Sequence, residues 1–295
     1  MQGIIDRITD DGIRILQVHY SADPDKNPAT PKGKKWLKTE ALDGYPGGMK
    51  SAKWKREMEI DFDVVEGQKV FEGIELHEDK LFIPPFDVPV TWQLRGSFDF
   101  ASRGVSAFHV HAKAKGQEDY YTIWEYYKKE STYPETAEAI KNCPYWGRLG
   151  WISADPCLWA RNQQIKSEVT GKIVLTSYAL LFAGLGIEFV PGSCGGDLAI
   201  ADMIKYDLWG NLLTGENQHQ QPRYRIFKNC PMAWWELKRL RYKDWTVATG
   251  QDRNVKEEIV DRDNHFFDNL KYYFKKMKGA GVGSAFDREK NCQRF

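Results

Sequence analysis

Apolar residues recur at every second position from Trp92 to Ala101, WQLRGSFDFA, where Trp92, Leu94, Phe98 and Phe100 share one face. This period predicts a strand. Asp99 lies near its C-terminal end, between two phenylalanines and on the opposite face from both. A carboxylate on a strand otherwise bound for the core needs a hydrogen-bond partner or a metal. Two further strands follow across tight turns, at residues 105–113 (VSAFHVHAK) and 120–127 (YYTIWEYY). Thr132 or Tyr133 opens a helix running to Asn142, with Pro134 in its first turn. Strand four covers residues 149–154, LGWISA, and ends at Asp155-Pro156. Residues 158–168 read as helical, residues 173–185 fit either class, and residues 187–190 make a short buried strand. Helices are predicted at residues 198–212, 231–242 and 263–278, with a strand at 223–227 between them. Hairpins followed by a helical crossover disfavour a fully parallel sheet. The predicted fold is α/β, a mixed sheet with helices on both faces.

Upstream the pattern changes. Residues 12–20, GIRILQVHY, alternate like a strand, and a loop rich in Pro, Lys and Asp follows. Short helices are predicted at residues 35–42 and from a Ser51 cap through Trp54 to Met58. Residues 61–71 read as a connector, and Pro84-Pro85 with Pro89 mark the entry to the main domain. The expected division is an N-terminal segment 1–85, a main domain 86–278 and a flexible tail 279–295.

With 42% hydrophobic residues and 11 tryptophans, the chain of 295 residues can build a sizeable core. It carries no signal peptide and no 18-residue apolar run, so a soluble protein with no membrane partner is expected. Five widely spaced cysteines form no CxxC pair, which supports neither a zinc ribbon nor a disulfide framework and fits a reducing compartment. Net charge is only +1, but it is unevenly spread. Nine acidic residues and one lysine lie between Glu57 and Asp79. Lys238, Arg239, Arg241 and Lys243 place four cations in six residues, and residues 271–278 hold four more. Such patches suit phosphates, although each alone also reads as a solvated helix face.

Asp155, like Asp99, stands at a strand end. If their strands are parallel neighbours, both carboxylates emerge where ligands gather on such sheets; alternatively Asp155-Pro156 only begins a turn. In the last predicted helix His265 and Asp268 are spaced i, i+3 on one face, and Asp261 extends that stripe. Phe267, Leu270, Phe274 and Met277 make the adjoining apolar face. Three carboxylates from two strand ends and a late helix suit two-metal phosphodiester hydrolysis. Oxygen ligands favour Mg²⁺ or Mn²⁺, and an imidazole at the edge favours Mn²⁺. Glu125, on the odd-numbered face of its strand, is a weaker candidate. His109 and His111 share a strand face without a cysteine or carboxylate at metal spacing, so they read as structural or phosphate-facing. No P-loop, GxSxG or HExxH motif occurs, and the GSCGG stretch at residues 192–196 lacks dinucleotide-binding spacing.

In order, GSFDF, WISADP and DNHFFDNLKYY resemble the nuclease domain of tailed-phage large terminases, which has a ribonuclease H-like fold. The stretches GIRILQVHYSADPDKNP and KWKREMEIDF, leading into GQKVFEGI, resemble that family too, so the likeness spans residues 10–275. The resemblance implies that Asp99, Asp155 and Asp268 bind a pair of Mg²⁺ or Mn²⁺ ions, with Asp99 bridging, His265 auxiliary and a nearby lysine or arginine on phosphate. It implies cutting of concatemeric viral double-stranded DNA during genome packaging in the host cytoplasm. The implied partners are a terminase ATPase domain or subunit, small terminase and portal. Residues 1–85 resemble the end of the ATPase domain or its linker. The rest of that domain is not in this sequence, which suggests an isolated nuclease fragment or a split gene, with no ATP hydrolysis of its own. A ribonuclease H-like resolvase or integrase, or a non-catalytic DNA-docking module, stands as the alternative.

Overall fold

The computed structural model describes residues 3–9, 11–43, 49, 52–61, 69–166, 171–210, 221–243 and 258–277. Two compact units divide the chain, Met1–Gln68 and Lys69–Phe295. In the first, strands β1 (Ile4–Ile8) and β2 (Arg14–Val18) form an antiparallel hairpin. Gly12, at φ +80°, permits its turn, and Arg14 bonds Asp6 across it at 2.6 Å. Only β2 is foreseen by alternation, because both faces of β1 are largely exposed and nothing selects its pattern. Helix α1 (Pro31–Asp43) begins four residues earlier than expected. The Thr30 hydroxyl accepts the Gly33 N–H at 3.0 Å and so caps the chain there. Helix α2 (Ala52–Glu57) contributes Trp54, which is fully buried against Tyr20, Trp36, Leu37 and Met58.

The second unit runs α3 (Glu78–Leu81), β3 (Phe82–Ile83), β4 (Gln93–Asp99), β5 (Val105–Lys113), β6 (Tyr120–Lys129), α4 (Tyr133–Lys141), β7 (Leu149–Ala154), β8 (Gln163–Lys166), β9 (Ile173–Thr176), α5 (Tyr178–Gly184), β10 (Val190–Pro191), α6 (Asp197–Asp202), β11 (Tyr224–Phe227), α7 (Pro231–Arg239) and α8 (His265–Met277). Seven strands form one sheet in the order β10-β7-β4-β5-β6-β11-β3. Only β5 runs against the others. This mixed sheet, with helices on both faces, is the ribonuclease H-like arrangement expected. Alternation along β4 explains the two layers. Phe98 stacks on Phe189 and meets Phe182 of α5 edge-on, while Ser97 and Asp99 face the side covered by α8. Helix α4 starts where predicted because Thr132 and Glu135 form a reciprocal capping box.

Several expectations are corrected. The second unit begins at Lys69 rather than at residue 86, because Val70, Phe71, Ile74 and Leu81 belong to its core and β3 pairs with β11. Of residues 158–168, the described ones, 158–166, are not a helix. A 3-10 turn at Pro156–Trp159 leads into β8, which pairs with β9 as a separate hairpin. The helix expected over residues 198–212 is α6 followed by a π-helical stretch, Met203–Leu208. Helix α8 has no solvated face of the kind its spacing implied, since Asn269 and Lys271 are buried along with its aromatic residues. The tail at residues 279–295 lies outside the described residues, as does Lys278.

Candidate active site

Strand pairing builds the site. β4 and β7 are parallel neighbours with Phe98 opposite Ala154, and the Asp155 N–H donates to the Phe98 carbonyl at 3.1 Å. Asp99 and Asp155 therefore leave the sheet side by side, the condition on which their shared role depended. Asp155 also begins a turn: its carboxylate caps the 3-10 stretch by accepting the Cys157 N–H at 2.8 Å. Helix α8 packs on β4, β5 and β7, and brings its first turn to the same end. There His265 Nδ1 donates to Asp99 Oδ2 at 2.7 Å, and Asp268 accepts from Asn264 Nδ2 at 3.2 Å.

The charge of Asp99 is felt by its neighbours. Burial raises the pKa of Asp155, and the charge of Asp99 raises it further. Asp268 is pushed up to about 6, first by burial and then by Asp99, against the opposing pull of Lys271. The buried Tyr272 hydroxyl is held above its ordinary range by burial and by all three aspartates. Burial alone would lower His265, but its hydrogen bond to Asp99 and the neighbouring acids raise it.

Cations inside the protein answer part of this charge. Lys271 Nζ donates to Asp268 Oδ1 at 2.6 Å and to Asp197 Oδ1 at 2.8 Å. Asp197 opens α6 directly after the glycine-rich loop, in which Gly195 and Gly196 both take positive φ. That loop lies against α8, where Lys275 donates to the Cys194 carbonyl at 3.0 Å and to that of Gly195. Lys271 is thus held within the protein, and the partly exposed Lys275 is tied to the loop, not free on a solvated helix face as their spacing suggested. Sequence reasoning missed Asp197 and the pairing of Lys271, although Asp268 and Lys271 stand at i, i+3.

The remaining candidates fall elsewhere. Glu125 accepts the Met232 and Ala233 N–H groups at 2.9 Å, so it serves the N-terminus of α7. His109 and His111 are fully buried and structural. His109 bonds Asn269 of α8 at 2.8 Å, and His111 lies between Ser97 at 2.7 Å and Thr122 at 3.0 Å. Lys238 and Arg239 close α7, with the Arg239 guanidinium over the Trp235 ring. Arg241 lies in a bridge to Lys69, and Lys243 is paired with Glu258 at 2.9 Å.

The structure is similar to those of large terminase nuclease domains. The nuclease domain of the P22 large terminase shares 14% identity over 71% of this chain and 92% of its own, with a TM-score of 0.48. The large terminase of the thermophilic bacteriophage D6E shares 14% identity over 86% of this chain, with a TM-score of 0.48; this chain spans 54% of its length. The nuclease domain of the bacteriophage SPP1 large terminase, solved with bound Mn, shares 18% identity over 63% of this chain and 86% of its own, with a TM-score of 0.38. No family model and no curated protein matches the chain. The function of the site rests on its own residues.

Whether those residues suit a divalent ion is a matter of donors and positions. The donors are hard oxygens from three carboxylates, of which Asp155 and Asp268 both sense the charge of Asp99, the set that Mg²⁺ and Mn²⁺ prefer. As placed, no three acidic, imidazole or thiol groups among the described residues stand close enough to share one ion. Asp99 is turned to His265 and Asp268 to Lys271. The donor set fits, and side-chain rotation within it is required.

Proposed function

We propose that this chain is a divalent-metal-dependent DNA endonuclease of the large-terminase kind, cutting concatemeric viral double-stranded DNA during genome packaging. One observation carries the reading. Parallel pairing of β4 and β7 sets Asp99 beside Asp155, and α8 delivers His265 and Asp268 to the same strand ends. Asp99, Asp155 and Asp268 would hold Mg²⁺ or Mn²⁺, which supplies an activated water and charge on the leaving oxygen. His265 orients the Asp99 carboxylate and is its proton partner. Purified protein should degrade plasmid with Mn²⁺ or Mg²⁺ and leave it intact in EDTA. Cleavage undiminished in chelator would sink the metal mechanism.

His265 is auxiliary in this reading, since it already has a carboxylate partner and no charge to add to a cation. His265→Ala should lower activity about tenfold and shift the Mn²⁺/Mg²⁺ preference, while Asp268→Ala should cost at least about 10²-fold more. Equal loss in both variants with both metals would make the imidazole essential.

Lys238, Arg239, Arg241 and Lys243 are assigned to DNA phosphates. Replacing Lys238 and Lys243 with Glu should weaken all duplex sequences alike and reduce the salt slope by roughly one per lost contact. Binding that prefers one sequence and survives high salt would contradict this. By the same reading the chain acts beside a terminase ATPase domain or subunit, small terminase and portal in the host cytoplasm, and itself hydrolyses no ATP. Phosphate release by the purified chain would count against that division of labour. Among the described residues no helix is long and apolar enough to cross a membrane.

The pairing of Asp99 with His265 and of Asp268 with Lys271 favours a second reading, a DNA-docking module whose acidic cluster is structural. DNA binding without metal-dependent nicking would select it.

A further inference from the structure

We infer that Lys271 is a built-in counter-cation that a divalent ion must displace from Asp268, and that Asp197 is the acceptor to which its ammonium then withdraws. This inference rests on the metal-site reading above. Three observations converge on it. Lys271 is a lysine on a helix packed against the sheet, and its side chain is only 9% exposed. A buried ammonium needs acceptors close at hand, and Lys271 has two, on different elements: Asp268 at 2.6 Å within α8 and Asp197 at 2.8 Å on α6. The two acceptors are not equivalent. Asp197 is 40% exposed, whereas Asp268 is 18% exposed and senses the charge of Asp99.

Without an ion, Lys271 is the cation bonded to Asp268, whose buried carboxylate also senses the charge of Asp99. The cation that stabilises the empty cluster is also the one that blocks its assembly, because the Asp268 oxygen it engages is a candidate ligand. A doubly charged ion brings more charge to the cluster than one ammonium. Its arrival frees Asp268 only if the ammonium keeps a partner, since a buried unpaired charge is costly. Asp197 already supplies that partner. The loop before it, with Gly195 and Gly196 in left-handed conformation, places it over the helix, and Lys275 ties the same loop down. The exchange therefore needs no movement of α8 or of the sheet; the lysine side chain shifts its weight from one carboxylate to the other. The pairing thus makes metal affinity a property of Lys271 and Asp197 as well as of the ligands.

The test is isothermal titration of the full chain with MnCl₂ alone, at fixed pH and without DNA. Lys271→Met should bind Mn²⁺ about tenfold more tightly than the parent, because the competing charge is gone. Asp197→Asn should bind about tenfold more weakly, because the displaced ammonium loses its acceptor. Lys271→Arg keeps the charge and should not gain affinity. Opposite signs for Lys271→Met and Asp197→Asn are what a purely structural lysine cannot give, since loss of structure weakens both. If Lys271→Met does not fold by circular dichroism, Asp197→Asn and Lys271→Arg carry the decision; an Asp197→Asn affinity equal to or tighter than the parent's overturns the inference. Equal or weaker binding by folded Lys271→Met overturns it as well. A parent that binds no Mn²⁺ instead removes the metal-site reading, so the two failures are distinguishable.

Discussion

Asp99→Asn is expected to lower metal-dependent DNA cleavage by about 10³-fold or more, which corresponds to about 4 kcal/mol in the barrier. The amide keeps the shape of the carboxylate, and its oxygen can still accept from His265 Nδ1. The fold should therefore survive, with an unchanged circular dichroism spectrum. What disappears is the charge that Asp155, Asp268 and His265 all sense. A metal held between strand ends depends on that charge; a turn-forming aspartate does not. Rates within a few fold of the parent would place Asp99 outside the chemistry. The comparison is made at saturating Mn²⁺, so that weakened metal binding is not mistaken for a lost chemical step.

The second large effect concerns Glu236, which supports α8 without belonging to the acidic cluster. Its side chain is fully buried on α7, where it accepts the Phe266 N–H at 2.5 Å and the Tyr127 hydroxyl at 2.8 Å. Burial pushes its pKa up to about 7, against those hydrogen bonds and the charge of His265. The folded value is raised above the ordinary 4.5. Its contribution to stability is thus full below about 4.5 and is lost as pH rises through about 7, a swing of about 3 kcal/mol. Glu236→Gln mimics the neutral acid and removes that loss. The variant should match the parent near pH 5 and be more stable at pH 8, where the thermal midpoint of the sheet-bearing unit rises by several degrees. Thermal unfolding at the two pH values checks this. A variant destabilised equally at both would mean that the carboxylate's charge, not its shape, anchors the helix.

Much of this arrangement is legible in the chain because its central strands alternate cleanly. Trp92–Ala101, VSAFHVHAK and LGWISA show where strands run and which residues stand at their ends. Thr132, Tyr133 and Pro134 locate the start of α4 to within a residue. Residues 158–168 fail for a physical reason: β8 belongs to an exposed two-stranded hairpin, whose pairing with β9 is not written in a buried face. The wrapping of α8 was hidden differently. A helix buried on nearly all sides loses the polar stripe that periodicity relies on, so Asn269 and Lys271 read as surface residues. Both are instead bonded inside, to His109 and to Asp197. Glu125 and Glu236 show the same limit. Nothing local distinguishes a carboxylate that meets a helix N-terminus from one that meets a metal: the N–H groups that Glu125 accepts lie on α7, far along the chain, and the one that Glu236 accepts lies on the next helix. Asp99, Asp155 and Asp268 could be singled out as candidates because each stands near an element end, a property that sequence does carry.

The most direct measurement is the anomalous scattering of a crystal of this chain soaked in Mn²⁺. The account predicts anomalous peaks bounded by the carboxylates of Asp99, Asp155 and Asp268, with the Lys271 ammonium drawn away to Asp197. An occupied site elsewhere, or a fully soaked crystal with Asp268 still bonded to Lys271 and no peak among the three aspartates, would contradict it.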